Sequence, residues 1–165
     1  EAEFDEPDVT IEAIGKQWSW DFNYVDSNVY ETGIQAQYDG TTETGNFDDL
    51  PTLYLPVGQK VQIDLMARDV IHSFWVVEFL YKKDMFPGRT NHMYFIPEKE
   101  GTYVGKCAEL CGEFHSMMLF NVEVVSEAEY EAQMAALAAK GQVGKLGVEL
   151  DRNQNLPGNN PEIRG

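Results

Sequence analysis

A two-residue period narrows the fold of this chain more than any other feature. Val61, Ile63 and Leu65 alternate with Lys60, Gln62 and Asp64. This is the pattern of a strand with one face in a core and the other in water, because successive strand side chains point to opposite sides. Val9 to Gly15 reads as a first strand. From Lys16 to Tyr24 aromatic residues fall at every second position, so Trp18, Trp20, Phe22 and Tyr24 are expected to share one face. Leu53 to Gly58 reads as a strand closing in a turn, Met93 with Phe95 and then Gly101 to Lys106 as two more strands, and Tyr81 to Arg89 as a turn-rich loop. Leu119 to Val125 reads as the terminal strand, with Phe120, Val122 and Val124 on one face. The helical signal comes last: Ser126 and Glu129 have capping-box spacing, and the Ala-rich run to Lys140 stops before Gly141. Short strands, turn signals and one closing helix predict an all-β Greek-key β-sandwich with a C-terminal helix.

The main domain is expected over 9–125, preceded by a linker over 1–8. It is interrupted by a polar insertion at about 26–49, in which Ile34, Ala36 and Tyr38 are patterned for a short strand. The helix occupies 126–140. An extended tail rich in Gly, Asn and Pro occupies 141–165, to be ordered only where a partner holds it. Twelve basic residues against 28 acidic ones leave a formal charge of −16. That balance argues against a nucleic-acid partner and for solubility or a cationic docking partner. No apolar run approaches the ~20 residues that span a bilayer.

The chemistry is concentrated in Cys107 to Met118, CAELCGEFHSMM, which joins two of the expected strands and holds both cysteines of the chain. Cys107, Cys111, His115 and Met118 bring thiol, imidazole and thioether together every three or four residues, a soft donor set. A disulfide here would close too short a loop to stabilise much. A zinc site is compatible with the Cys spacing but has no use for the methionine. Copper uses all the donors. A mononuclear blue-copper site needs only one Cys; if both thiolates bridge two coppers, each metal needs its own nitrogen, and a second His must come from elsewhere. His72, in DVIHSFW after a strand-like alternation, is favoured over His92, which reads as a strand residue with an ordinary partner. Asp69, three residues before His72, is placed either to orient the ligand loop or simply as an acid of a turn or the surface.

Together, CAELCGEFHSMM and DVIHSFW resemble the binuclear CuA site of the cytochrome c oxidase subunit II family, of the bacterial aa3 type. The resemblance implies a cupredoxin fold and a two-copper centre held by His72, Cys107, Cys111, His115, Met118 and the main-chain oxygen of Glu109. It selects Met118 over the adjacent Met117, which is read as core. It implies that Trp18 receives the incoming electron, although Ser19 departs from the aromatic residue common in the family. It places Arg89, in a Pro-Gly-Arg loop, against the catalytic subunit near the haem propionates, and the Glu109 side chain on a magnesium or manganese ion shared with that subunit.

By the same resemblance a cytochrome c, soluble or membrane-anchored, is the donor and haem a of subunit I the acceptor. Other oxidase subunits and a bc complex in a supercomplex are further expected partners. Oxygen reduction and proton pumping belong to subunit I, leaving this domain electron transfer alone. The expected location is the periplasmic, extracytoplasmic face of a bacterial cell membrane. The expected anchor is an N-terminal transmembrane hairpin outside this sequence, since EAEFDEPDV resembles the polar stretch that follows one. Three other readings remain: a nitrous oxide reductase domain, whose ligand loop usually carries an aromatic residue where Glu109 stands, a free cupredoxin-type electron carrier, and a copper-delivery module.

Overall fold

The computed structural model describes residues 5–35, 50–79 and 81–147. Ten strands and one helix follow in order: β1 Val9–Lys16, β2 Ser19–Tyr24, β3 Val29–Thr32, β4 Thr52–Pro56, β5 Val61–Ala67, β6 His72–Val76, β7 Tyr81–Met85, β8 Asn91–Phe95, β9 Gly101–Cys107, β10 Leu119–Val125 and α1 Glu127–Ala139. They form two five-stranded sheets, ordered β3-β2-β1-β5-β8 and β4-β10-β9-β6-β7. Most neighbours are antiparallel, but β1 runs parallel to β5 and β10 parallel to β4. Those long-range pairings stitch sequence-distant strands into a sandwich. Among the described residues, no helix is long and apolar enough to cross a membrane.

The apolar face of each strand makes the core. Trp20 and Phe22 of β2 meet Phe120 of β10 edge-on, with centroids 4.9 and 5.5 Å apart, and Phe74 of β6 stacks on Phe120 at 5.1 Å. Phe120 approaches the backbone of β9 so closely that a Cβ on Gly105 would overlap its ring. Trp20, Phe22 and Tyr24 are buried on this face, whereas Trp18 lies in the turn between β1 and β2. The helix is capped at Ser126, whose hydroxyl accepts from the Glu129 N–H, and ends at Gly141 with φ +82°. It buries Tyr130, Met134 and Leu137, spaced to share one side.

Three local expectations change. Tyr81–Met85 is a strand, paired with β6, rather than part of a loop. As the last strand of its sheet it tolerates Lys82, Lys83 and Asp84, and such charges discourage pairing with another chain. Within the polar stretch after residue 26, Val29–Thr32 forms an edge strand in which the Thr32 hydroxyl donates to Asp21 at 2.7 Å. Ile34 is exposed and outside any strand, while Ala36 and Tyr38 lie outside the described residues.

The beginning of the tail is held by the domain itself. The Tyr30 N–H donates to the Gln142 carbonyl, the Gly144 N–H donates to the Asn28 carbonyl, and Val143 bridges to Val29. Asn23 exchanges two hydrogen bonds with the Leu146 backbone, at 2.7 and 2.9 Å. The edge of β3 offers unpaired backbone groups, and this segment satisfies them. Residues 148–165, the rest of the predicted tail, lie outside the described residues.

Candidate metal centre

Strand pairing builds the centre. β6 and β9 are antiparallel neighbours with Phe74 opposite Cys107, so His72 at the start of β6 and Cys107 at the end of β9 reach the same end of the sheet. The chain then loops back into β10, presenting Cys111, a short 3-10 turn at His115–Met117, and Met118. The Cys107 N–H donates to the Met118 carbonyl, closing the loop at its base.

The donor atoms converge. Cys107 Sγ lies 3.8 Å from His72 Nδ1, 3.8 Å from Cys111 Sγ and 3.1 Å from the Glu109 carbonyl oxygen. Cys111 Sγ lies 3.4 Å from His115 Nδ1 and 3.7 Å from Met118 Sδ. Both cysteines are free thiols. His72, Cys107 and Cys111 are buried, with one donor atom from each lying within 4.8 Å of the others, an arrangement that could hold a metal ion. His92 is elsewhere, on β8 with Nδ1 2.7 Å from Asp64 Oδ1. Two sulfurs that ionise, two imidazole nitrogens, a thioether and a carbonyl fit copper and suit magnesium or calcium poorly.

Asp69 fixes the first imidazole. Its Oδ1 lies 2.8 Å from His72 Nε2 and also accepts the Val70 N–H, while its Oδ2 accepts the Gln17 N–H at 2.7 Å. With Nε2 carrying a proton for Asp69, Nδ1 is left to face Cys107. Burial raises the Asp69 carboxyl, but the hydrogen bonds from His72, Gln17 and Val70 outweigh it and hold the group below its ordinary value. Burial likewise opposes charge on His72, yet Asp69 and then Cys107 raise its pKa.

The two thiols pull each other's pKa in opposite directions. The hydrogen bond with Cys111 does most to lower Cys107, to about 4, with burial opposing and His72 assisting. The same pairing, joined by burial, raises Cys111. A bound metal would favour both thiolates, so its uptake would release protons.

The other predicted residues take distinct places. Trp18 is half-buried beside the ligand loop, its Nε1 donating to the Cys111 carbonyl at 3.3 Å and its ring edge-on to Phe114 at 5.0 Å. Glu109 contributes its carbonyl to the cluster and is itself exposed. Met117 is half-buried, beside the fully buried Met118. Arg89 is exposed in the turn after β7, with its guanidinium 4.3 Å from the Phe86 ring. Two residues outside the sequence reading also matter. Gln17 donates its side-chain amide to the Cys111 carbonyl at 2.9 Å, and Gly15 packs against the His72 ring. Neither belongs to a recognisable ligand pattern; their only signal is nearness to Trp18 in sequence.

Comparison with known proteins points to one family. The family profile described as cytochrome c oxidase subunit II, periplasmic domain, matches residues 9–125. A probable cytochrome c oxidase subunit 2 of Streptomyces avermitilis is 44% identical over 164 residues, covering 84% of this chain and 51% of the relative. The cytochrome c oxidase subunit 2 of Alkalihalophilus pseudofirmus is 37% identical over 132 residues, covering 80% of this chain and 33% of the relative. The chain thus spans about half the length, or less, of these curated relatives. The crystal structure of the periplasmic domain of subunit II of cytochrome oxidase from Bradyrhizobium japonicum superposes with a TM-score of 0.73 at 32% identity, covering 84% of this chain and 99% of that one.

Proposed function

The chain belongs to the cytochrome c oxidase subunit II family, whose periplasmic domain it matches, and on that premise we propose that it is the electron-receiving domain of an aa3-type oxidase. In this reading it takes single electrons from a cytochrome c and passes them to haem a in subunit I. His72, Cys107, Cys111, His115, Met118 and the Glu109 carbonyl would hold a binuclear CuA centre. When bound, the two coppers supply reversible one-electron redox chemistry. The observation that carries the proposal is the convergence of both thiols with His72 Nδ1, His115 Nδ1, Met118 Sδ and one carbonyl at a single end of the sandwich.

The protein's own part is to hold those donors still. His72 and Cys107 sit on paired strands, and Asp69 locks the ring. The donors His72, Cys107, Cys111 and Met118 are buried, which keeps water from competing for the metal. A donor set that cannot relax suits electron transfer, and its exclusion of water contrasts with catalytic metal sites, which keep a position open.

Trp18 supports the point of electron uptake, since it is partly exposed and bonded to the Cys111 carbonyl. Glu109, with its carbonyl at the centre and its residue exposed, is suited to reach a magnesium or manganese ion shared with subunit I. Arg89 is suited to a contact with that subunit. The domain would work at the periplasmic face of the cell membrane, with other oxidase subunits and, in a supercomplex, the bc complex as neighbours. The acidic surface suits a basic cytochrome c.

Electron paramagnetic resonance of the copper-loaded, oxidised protein, with metal analysis of the same sample, tests the proposal. A seven-line hyperfine pattern with two coppers per chain is expected. A four-line pattern with one copper would point to a mononuclear carrier, and bound zinc without a copper signal would overturn electron transfer.

A further inference from the structure

Gln17 touches both segments that carry the donors. Its backbone N–H donates to Asp69 Oδ2 at 2.7 Å, and the other oxygen of Asp69 holds His72 Nε2 at 2.8 Å. Its side-chain Nε2 donates to the Cys111 carbonyl at 2.9 Å, and Trp18 Nε1 adds a second bond to that oxygen at 3.3 Å. Gln17 and Trp18 are the two turn residues between β1 and β2, closed by the Lys16–Ser19 pair. One tight turn therefore spans two loops that lie far apart in sequence.

The turn is anchored from behind. Lys16 Nζ is 2.8 Å from Asp21 Oδ1, and Arg68 donates to Asp21 Oδ2 at 2.8 Å. The three side chains are 6, 1 and 3% exposed. The Arg68 N–H donates to the Gly15 carbonyl at 2.9 Å, tying the end of β1 to the segment that leads into Asp69. Moving the turn would strand a buried charge, which is strongly unfavourable. On its other side the ligand loop presses close. A Cβ on Gly112, where φ is +126°, would come within 3.1 Å of Trp18 Nε1 and 3.3 Å of Gln17 Nε2.

We propose that Gln17 is a positioning residue that couples the His72 side of the centre to the Cys111 side and sets their separation. Two donors on the Cys111 carbonyl fix the plane of that peptide, and with it the direction in which Cys111 Sγ is presented. Because the same residue holds Asp69, a displacement at Cys111 is transmitted to the His72 ring. The functional consequence rests on the copper reading above, but the coupling itself is a property of the metal-free protein.

Gln17→Met tests it. Methionine keeps the length of the side chain and leaves the backbone N–H on Asp69, but removes the donor to Cys111. In the metal-free variant the His72 ring-nitrogen resonances are expected to move while those of His92, bonded to Asp64 on β8, stay in place. Copper affinity, measured against a competing chelator, is expected to fall about tenfold, with an altered hyperfine pattern. Unchanged His72 resonances would overturn the coupling. Should the variant fail to fold, hydrogen exchange of the Gln17 side-chain amide in the wild-type protein decides the matter: slow exchange supports the bond, and free exchange removes it. If the wild-type protein binds no copper, the copper reading falls, and the His72 resonances still decide the coupling.

Discussion

Asp69 Oδ1 stands 2.8 Å from His72 Nε2 in a site where the imidazole is fully buried and the carboxylate side chain is only 4% exposed. The pair settles which nitrogen faces the cysteines. Replacing Asp69 with Asn keeps the shape but removes the charge that favours the Nε2 proton. Copper affinity should fall by about 10–100-fold, the range for loss of a group that orients a metal ligand. A competition titration of Asp69→Asn against a chelator, with thermal unfolding of the metal-free protein as control, checks this. Wild-type affinity would remove Asp69 from the centre.

The same pair predicts a pH window for the metal-free domain. Asp69 is lowered from its ordinary 3.8, so its contribution is present above that value and is lost as pH falls through the folded pKa. His72 is raised from 6.5, so its contribution is present below 6.5 and is lost as pH rises through the folded pKa. The stability gap between wild type and Asp69→Asn, from urea midpoints, should be widest between pH 3.8 and 6.5 and shrink on both sides. A gap that grows steadily with pH would contradict the assignment.

Gly15 and Gly105 should fail differently when changed to Ala. A Cβ at Gly15 would lie 2.8 Å from His72 Cδ2, and the ring is tethered by Asp69, so copper binding should weaken more than stability. A Cβ at Gly105 would overlap the Phe120 ring at the heart of the core. Overpacking of this kind costs about 1–3 kcal/mol or more, read as a lower urea midpoint. Parallel copper titration and unfolding of the two variants separates the effects.

Trp18→Ala should still bind two coppers per chain at saturating copper, because the indole presents no donor atom to a metal and Gln17 keeps its own bond to the Cys111 carbonyl. Electron uptake from a reduced cytochrome c, followed by stopped flow, should slow. Wild-type kinetics with full copper content would exclude Trp18 from the route.

Much of the strand order was legible because a period of two is a local property, visible in Val61 to Leu65 or Leu119 to Val125 without knowledge of the partner strand. The miss at Tyr81–Met85 has a different cause. This edge strand does alternate between half-buried and exposed positions, but Lys82, Lys83 and Asp84 fill it with the charges an edge tolerates, and these resemble loop composition. Asp21 and Asn23 carry no sequence mark of burial; they are covered by Arg68 and by the segment at 145–147, contacts that arise only on folding.

The amino-acid sequence alone sets the donor chemistry, because thiol, thioether and imidazole side chains bring their preference for soft metals wherever they are placed. It also determined the alternating strands and the helix stop signals, which depend on neighbours a few residues away. Tertiary structure brings His72 up to Cys107, through the register of β6 on β9. It decided the ring orientation through Asp69, and it made the Gln17–Trp18 turn a tie between two loops. Those are contacts between residues distant in the chain, fixed by strand pairing and core packing, and no local pattern encodes them.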